Sequence, residues 1–140
     1  MNEDLHELGE LLVSTSTALV RRLPSDGMEL SLAAARVLAR IKDNGPCRIS
    51  DLAVQERSSQ PTITNHIKRL ESAGLVERTL DPSDARAWLI ELSPLGRHRL
   101  AEIRQQMGSN VEPMLAKLNA RERKALRNGL EVMQRLIAAE

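Results

Sequence analysis

No set of side chains in this sequence is spaced for covalent or metal chemistry. His6, His66 and His98 lack metal-ligand spacing, and the one cysteine, Cys47, belongs to no Cys/His cluster. There is no nucleophile–base pair and no glycine-rich phosphate cradle, so neither catalysis nor a cofactor is expected. Asp81 and Asp84 are closely spaced carboxylates, but they lie in an exposed turn where a water-excluded pocket is hard to build. The groups that remain are suited to recognition. Pro61, Thr62, Thr64, Asn65, Lys68 and Arg69 offer short polar groups and positive charge, with no carboxylate until Glu71. An Asn can pair bidentately with adenine, a Thr hydroxyl can meet a base edge or a phosphate, and a Lys can neutralise phosphate. Arg86 follows an Asp-Pro turn, and an extended Arg suits the narrow, electronegative minor groove. Asp84 is placed to hold that guanidinium by a charge-assisted hydrogen bond.

Positioning these groups takes a helix and a hairpin. Ile63, Ile67 and Leu70 fall at i, i+4, i+7 and predict a helix from Ser59 to Ala73 with one buried face. Ser59 caps it, Pro61 is tolerated in the first turn, and Gly74 ends it. Pro61, Thr64, Asn65, Lys68 and Ser72 then face away from the core, with Thr62 and Arg69 on the flanks. Ser50 is expected to cap a short helix just before it, with Asp51 in the first turn. Ser31 opens an earlier helix with Leu38 and Ile41 inside, which "DNGP" (Asp43 to Pro46) stops. "LVERTL" and "RAWLIEL" read as two strands around the turn Asp81–Pro82–Ser83–Asp84.

A short helix, a tight turn and a second helix form a helix-turn-helix, whose second helix can enter a major groove about 12 Å wide. Helices flank this centre. Residues 3 to 23 carry Leu5, Leu8 and Leu12 at near-helical spacing. Ser93-Pro94 opens a helix with Leu100 and Ile103 that should kink or break near Gly108 to Pro113. Asn119 to Glu122 resembles a capping box for a last helix carrying Leu126, Leu130, Met133 and Ile137.

The composition bounds the class. The chain of 140 residues is 41% hydrophobic and 28% charged, which fits one soluble domain or two subdomains. Trp88 is the only aromatic residue, so the core must be built from aliphatic side chains. No apolar run approaches the ~18 residues a bilayer requires, no secretory segment is evident, and a single cysteine excludes an internal disulfide. A cytoplasmic protein with no membrane partner is expected. Net charge is +1. From Pro46 to Leu92 the six bases Arg48, Arg57, Lys68, Arg69, Arg78 and Arg86 stand against seven acids, Asp51, Glu56, Glu71, Glu77, Asp81, Asp84 and Glu91. The segment is not basic on balance. Cys47 is read as structural, because nothing nearby except Arg48 would favour its thiolate.

The run Ile49 to Arg97 resembles the winged helix-turn-helix of the MarR/SlyA family of bacterial regulators. "LESAGLVER" at Leu70 to Arg78, "DPSDAR" at Asp81 to Arg86 and "LSPLGR" at Leu92 to Arg97 carry the likeness. The resemblance implies a mainly α fold with a small β-hairpin wing, flanked by N- and C-terminal dimerisation helices. It implies a homodimeric repressor on a palindromic double-stranded DNA operator, released by a small amphipathic or aromatic effector. On this reading residues 1–30 are the N-terminal dimerisation helix and linker, 31–92 the DNA-binding lobe and 93–140 the C-terminal dimerisation helices. Ser59, Gln60, Pro61, Thr62, Thr64, Asn65, Lys68, Arg69, Asp84 and Arg86 form the DNA-binding set. Leu5, Leu8, Leu12, Leu126, Leu130, Met133 and Ile137 form the dimer interface. Many members carry a basic residue where this chain has Asn65, which implies a different base contact here. Redox-sensing members hold a cysteine in the first helix, where this chain has Leu12, Val13, Ser14 and Thr15. The alternative is a winged-helix adaptor that docks a protein partner without specific DNA binding.

Overall fold

The computed structural model describes residues 2–139, with side chains from residue 4 onward. The elements run α1 (Asn2–Arg22), α2 (Leu32–Asn44), α3 (Ile49–Gln55), α4 (Gln60–Ser72), β1 (Val76–Asp81), β2 (Asp84–Leu92), α5 (Pro94–Leu115) and α6 (Ala120–Ala138). The mainly α architecture with one antiparallel hairpin is the expected winged helix-turn-helix. The chain divides into two compact units, Gly27–Gln106 and Met1–Asp26 with Met107–Glu140.

The Gly27–Gln106 unit holds the core. Val37, Leu38 and Ile41 of α2 are buried with Leu52 of α3 and Ile63, Ile67 and Leu70 of α4. Leu75, Val76, Ile90 and Leu92 close the core from the hairpin stem, and Leu100 and Ile103 of α5 complete it. These are aliphatic side chains at helical or alternating spacing, so each element buries one face and leaves the other polar.

Local chemistry sets the ends of the elements. The Ser59 hydroxyl accepts the Thr62 N–H at 3.2 Å and starts α4. Gly74, at φ +76°, turns the chain out of α4 into β1, a left-handed conformation that disfavours a Cβ. Ser93 does two jobs at 3.0 Å or less: its hydroxyl accepts the Gly96 N–H and donates to the Gly74 carbonyl. Asn119 and Glu122 form the reciprocal capping box at the head of α6.

Two expectations need correction. The N-cap of α3 is Arg48 rather than Ser50, and no side chain caps that end. Ser50 lies inside the first turn because the Cys47 backbone is held by Ile90 through two hydrogen bonds of 3.0 and 2.7 Å, which fixes where the chain leaves the extended state. Helix α5 also runs unbroken past Gly108 to Leu115. Pro113 denies a hydrogen bond only to the Ser109 carbonyl, two residues before the helix ends, so little helix remains beyond it to break.

The other unit differs in one respect. Among the described residues, no side chain of α1 or α6 is buried. Leu5, Leu8, Leu11, Val13, Leu126, Leu130 and Leu136 are all exposed, and Ile137 is 70% exposed. Leu12 and Val13 of α1 line one apolar groove with Met133 and Ile137 of α6. Among the described residues no helix is long and apolar enough to cross a membrane.

Candidate nucleic-acid interface

Helices α3 and α4 are joined by a tight turn, Glu56 to Ser59, with unusual backbone at its centre. Arg57 has φ +51° and is the one non-glycine residue at positive φ among those described. Its N–H reaches the Val54 carbonyl at 3.1 Å, and the Ser58 N–H reaches Ala53 at 3.0 Å. Glu56 is nearly buried, with 4% of its side chain exposed. Burial alone would raise its pKa, but the guanidiniums of Arg36 and Arg40, at 2.8 and 3.0 Å, more than offset this and hold it below the usual carboxylate value. The two arginines come from α2, so this pair of contacts pins the turn that sets α4 relative to α2.

On α4, Ile63, Ile67 and Leu70 are buried as the spacing predicts. Gln60, Pro61, Thr62, Asn65, Lys68 and Arg69 are exposed, and Thr64 is half-buried. Ser59 is exposed as well, its hydroxyl within 2.7 Å of the Thr62 hydroxyl. Glu71, the first carboxylate on this helix, is taken by Arg78 of β1 at 2.6 Å. The outward face of α4 therefore carries hydrogen-bonding groups and unopposed positive charge.

The wing has a specific irregularity. Its register runs Val76↔Leu92 through Leu80↔Trp88 and then jumps to Asp81↔Asp84. Ala85, Arg86 and Ala87 are left as a bulge on β2, with Arg86 at its centre. Bulges re-aim side chains and terminate regular pairing. Arg86 is exposed, and its guanidinium makes no hydrogen bond or ion pair among the described residues.

The expected brace on Arg86 forms differently. Asp84 Oδ1 accepts the backbone N–H of Arg86 at 3.0 Å and does not touch its guanidinium. A short carboxylate two residues back meets the nearby N–H first, while the long Arg chain extends past it. The charged partner of the turn is Arg48. Its Nη2 lies 2.8 Å from Asp81 Oδ2 and 3.9 Å from Asp84 Oδ2. Asp81 also accepts from the Ser83 N–H at 2.9 Å and the Ser83 hydroxyl at 2.7 Å. The Arg48 hydrogen bonds, then those from Ser83, pull the Asp81 pKa down to about 2.

These pairings let a segment of near-neutral total charge present unpaired cations. Glu56, Glu71 and Asp81 are engaged within the fold, while Arg57, Lys68, Arg69 and Arg86 carry no ion pair among the described residues. Glu77 and Glu91 face each other across the wing stem, away from its turn. A charge count cannot see this sorting. Cys47 is buried, and its burial raises the thiol pKa, which disfavours the reactive thiolate. The conformation of Arg57 and the reach of Arg48 are not legible in the sequence. Neither leaves a periodic signal, since one is a backbone angle and the other a contact across 33 positions.

Residues 30–88 match the sequence pattern of the MarR family. The HTH-type transcriptional regulator Mb0904 of Mycobacterium bovis is 30% identical over 131 residues, spanning 94% of this chain and 90% of that protein. The chain belongs to the MarR family of transcriptional regulators. A second relative, the HTH-type regulator YdgJ of Bacillus subtilis, is 33% identical over 87 residues, which cover 62% of this chain and about half (51%) of that protein. Among solved structures, wild-type MarR from E. coli in its apo form superposes with a TM-score of 0.74 at 25% identity, covering 90% of this chain and 96% of that one. BpsR of Bordetella bronchiseptica, whose DNA binding is regulated by 6-hydroxynicotinic acid, superposes with a TM-score of 0.61 at 27% identity over 90% and 91% of the two chains. The MarR fold thus accounts for the helix-turn-helix, the wing and both terminal helices of this chain.

Proposed function

We propose that this regulator binds a palindromic DNA operator as a homodimer and represses the adjacent gene. Residues 31–92 are the reading lobe; the segments 1–30 and 93–140 are the dimerisation region. Helix α4 lies in the major groove, where Asn65 reads a base and Gln60, Thr62, Thr64, Lys68 and Arg69 meet bases or phosphates. Ser59 and Pro61 shape the helix start that approaches the backbone. The bulged wing carries Arg86 into the minor groove, with Asp84 shaping the backbone beneath it. The single observation that carries this reading is the sorting of charge: Glu71 and Asp81 are engaged by Arg78 and Arg48, while Arg57, Lys68, Arg69 and Arg86 carry no ion pair among the described residues.

The uncovered apolar faces of α1 and α6 support the homodimer, since contiguous apolar surface of this kind marks a protein contact. A two-fold dimer places its recognition helices about 34–36 Å apart, or a multiple of that, on one face of the duplex. The regulation of BpsR by an aromatic acid supports a small amphipathic or aromatic effector here too. Such an effector acts by favouring one spacing of the reading lobes over another, with a coupling of about 1–3 kcal/mol.

Footprinting on the DNA upstream of the coding sequence, at two salt concentrations, tests the proposal. A symmetric protected patch that fades with salt is expected. Absence of protection at low salt, there and on genomic fragments, would favour the protein-adaptor reading. On the protected duplex, Arg86→Ala should weaken binding and reduce the slope of log K against log salt by about 0.9, one phosphate's worth. An unchanged slope would remove the wing from the mechanism. Asn65→Ala should cost about 1–3 kcal/mol of discrimination at one base pair per half-site. Equal weakening on every operator variant would make Asn65 a phosphate contact instead.

A further inference from the structure

The wing turn has a problem of support. Asp81 and Asp84 form its last paired rung, and the three residues of the bulge follow at once. Pro82, Ser83, Asp84, Ala85 and Arg86 are all exposed, so no apolar packing holds this end. The buried residues of the hairpin lie at the stem, at Val76, Ile90 and Leu92. A bulged two-stranded tip without packing should sample many directions, and an arginine on it would lose entropy on entering a groove.

Among the described residues, one side chain from outside the hairpin makes a polar contact with the tip. Arg48, at the head of α3, donates to Asp81 Oδ2 through Nη2 at 2.8 Å and Nε at 3.3 Å. The same Nη2 stands 3.9 Å from Asp84 Oδ2. Both carboxylates of the closing rung therefore face one guanidinium, and the far oxygen of each is used within the tip. Asp81 Oδ1 takes the Ser83 N–H and hydroxyl, and Asp84 Oδ1 takes the Arg86 N–H. A continuous path of polar contacts runs from the start of the helix-turn-helix to the backbone of Arg86. The stem is tied at the same place, because Cys47, the neighbour of Arg48, pairs with Ile90.

We propose that Arg48 is a positioning residue for DNA binding: from the head of α3 it clamps the Asp81–Asp84 rung and so sets the direction in which the bulge presents Arg86. Arg48 spends its charge on these carboxylates rather than on a phosphate. The two DNA-reading elements of the lobe, α4 and the wing, are thereby referenced to the same helix pair. This inference rests on the reading of Arg86 as a DNA contact.

The test is a double-mutant cycle on Arg48→Ala and Arg86→Ala, read by binding to a labelled duplex of the DNA upstream of the coding sequence. Arg48→Ala alone should weaken binding roughly tenfold, the scale of one charge-assisted contact, and lower the salt slope toward that of Arg86→Ala. In the Arg86→Ala background it should cost almost nothing more, because nothing remains to be aimed. Multiplying losses would overturn the proposal, since Arg48 would then act on DNA independently of the wing. Normal binding by Arg48→Ala beside a weakened Arg86→Ala would also overturn it and leave the wing reading intact. Normal binding by Arg86→Ala would overturn both. A second readout needs no DNA: Trp88, the only tryptophan, pairs with Leu80 at the foot of the bulge and is 50% exposed. Its fluorescence anisotropy should fall in Arg48→Ala and in Asp81→Asn while the helical circular dichroism stays unchanged. Unchanged anisotropy in both variants would show that the tip needs no clamp.

Discussion

Replacing Leu130 by glutamate is expected to leave a folded monomer that no longer protects DNA. Leu130 lies on α6 in line with Leu126, Met133 and Ile137, and no side chain of that helix is buried within the chain. The substitution therefore removes little that the single chain uses. Across a two-fold interface it would place two carboxylates in an apolar contact, where unpaired charge is costly. A monomer holds one half-site only. Its affinity should fall toward the non-specific level, about a thousandfold or more below the dimer on the operator. Leu130→Met keeps volume and apolarity and should keep the dimer, within about 1.5 kcal/mol. Sedimentation and footprinting of both variants decide the matter. A Leu130→Glu protein that still sediments as a dimer and still protects DNA would place the interface on another face.

A second large effect is expected from a single methyl group. Gly96 is buried in the first turn of α5, and a Cβ built there would lie 2.0 Å from the Leu75 carbonyl oxygen and 2.9 Å from its carbon. Both obstacles are backbone at the start of the wing stem, so no side chain can swing aside. The Ser93 N–H donates to that same Leu75 carbonyl at 3.0 Å. Gly96→Ala must push α5 off the hairpin and break this corner. The cost should be about 3 kcal/mol or more, the upper end for overpacking. For a unit of this size that lowers the thermal midpoint by roughly 12–24 °C. Gly129 in α6 is the control, since nothing lies within 4 Å of a Cβ there and Ala is the better helix former. A Gly96→Ala protein as stable as the parent would mean that the helix and strand separate at no cost.

Both predictions turn on faces and approaches that differ in how legible they were. The stripe on α6 could be read directly, because Leu126, Leu130, Met133 and Ile137 repeat at the period of the helix itself. The buried face of α4 was legible for the same reason, and so were the caps at Ser59, Ser93 and Asn119, whose side chains act on their own local backbone. Gly96 belonged to a recognisable run, "LSPLG", but its spelling does not reveal that a carbonyl stands against it. The placement of Arg86 just past an Asp-Pro turn was plain, whereas its position at the centre of a bulge depends on the register of two strands.

Charge was the least legible quantity. The residues from Pro46 to Leu92 sum to near neutrality, and that sum by itself leaves both a nucleic-acid surface and a protein-docking surface open. The fold separates the members of the sum. Arg36 and Arg40 arrive from α2 to neutralise Glu56, Arg78 reaches back to Glu71, and Arg48 crosses to Asp81 and Asp84. Periodicity, capping and turn chemistry act over a few neighbouring residues and are therefore written in order along the chain. Ion pairs and close backbone contacts act between atoms brought together from distant positions. Which cations remain for a partner is settled only when the helices pack and the long side chains choose among the carboxylates within reach.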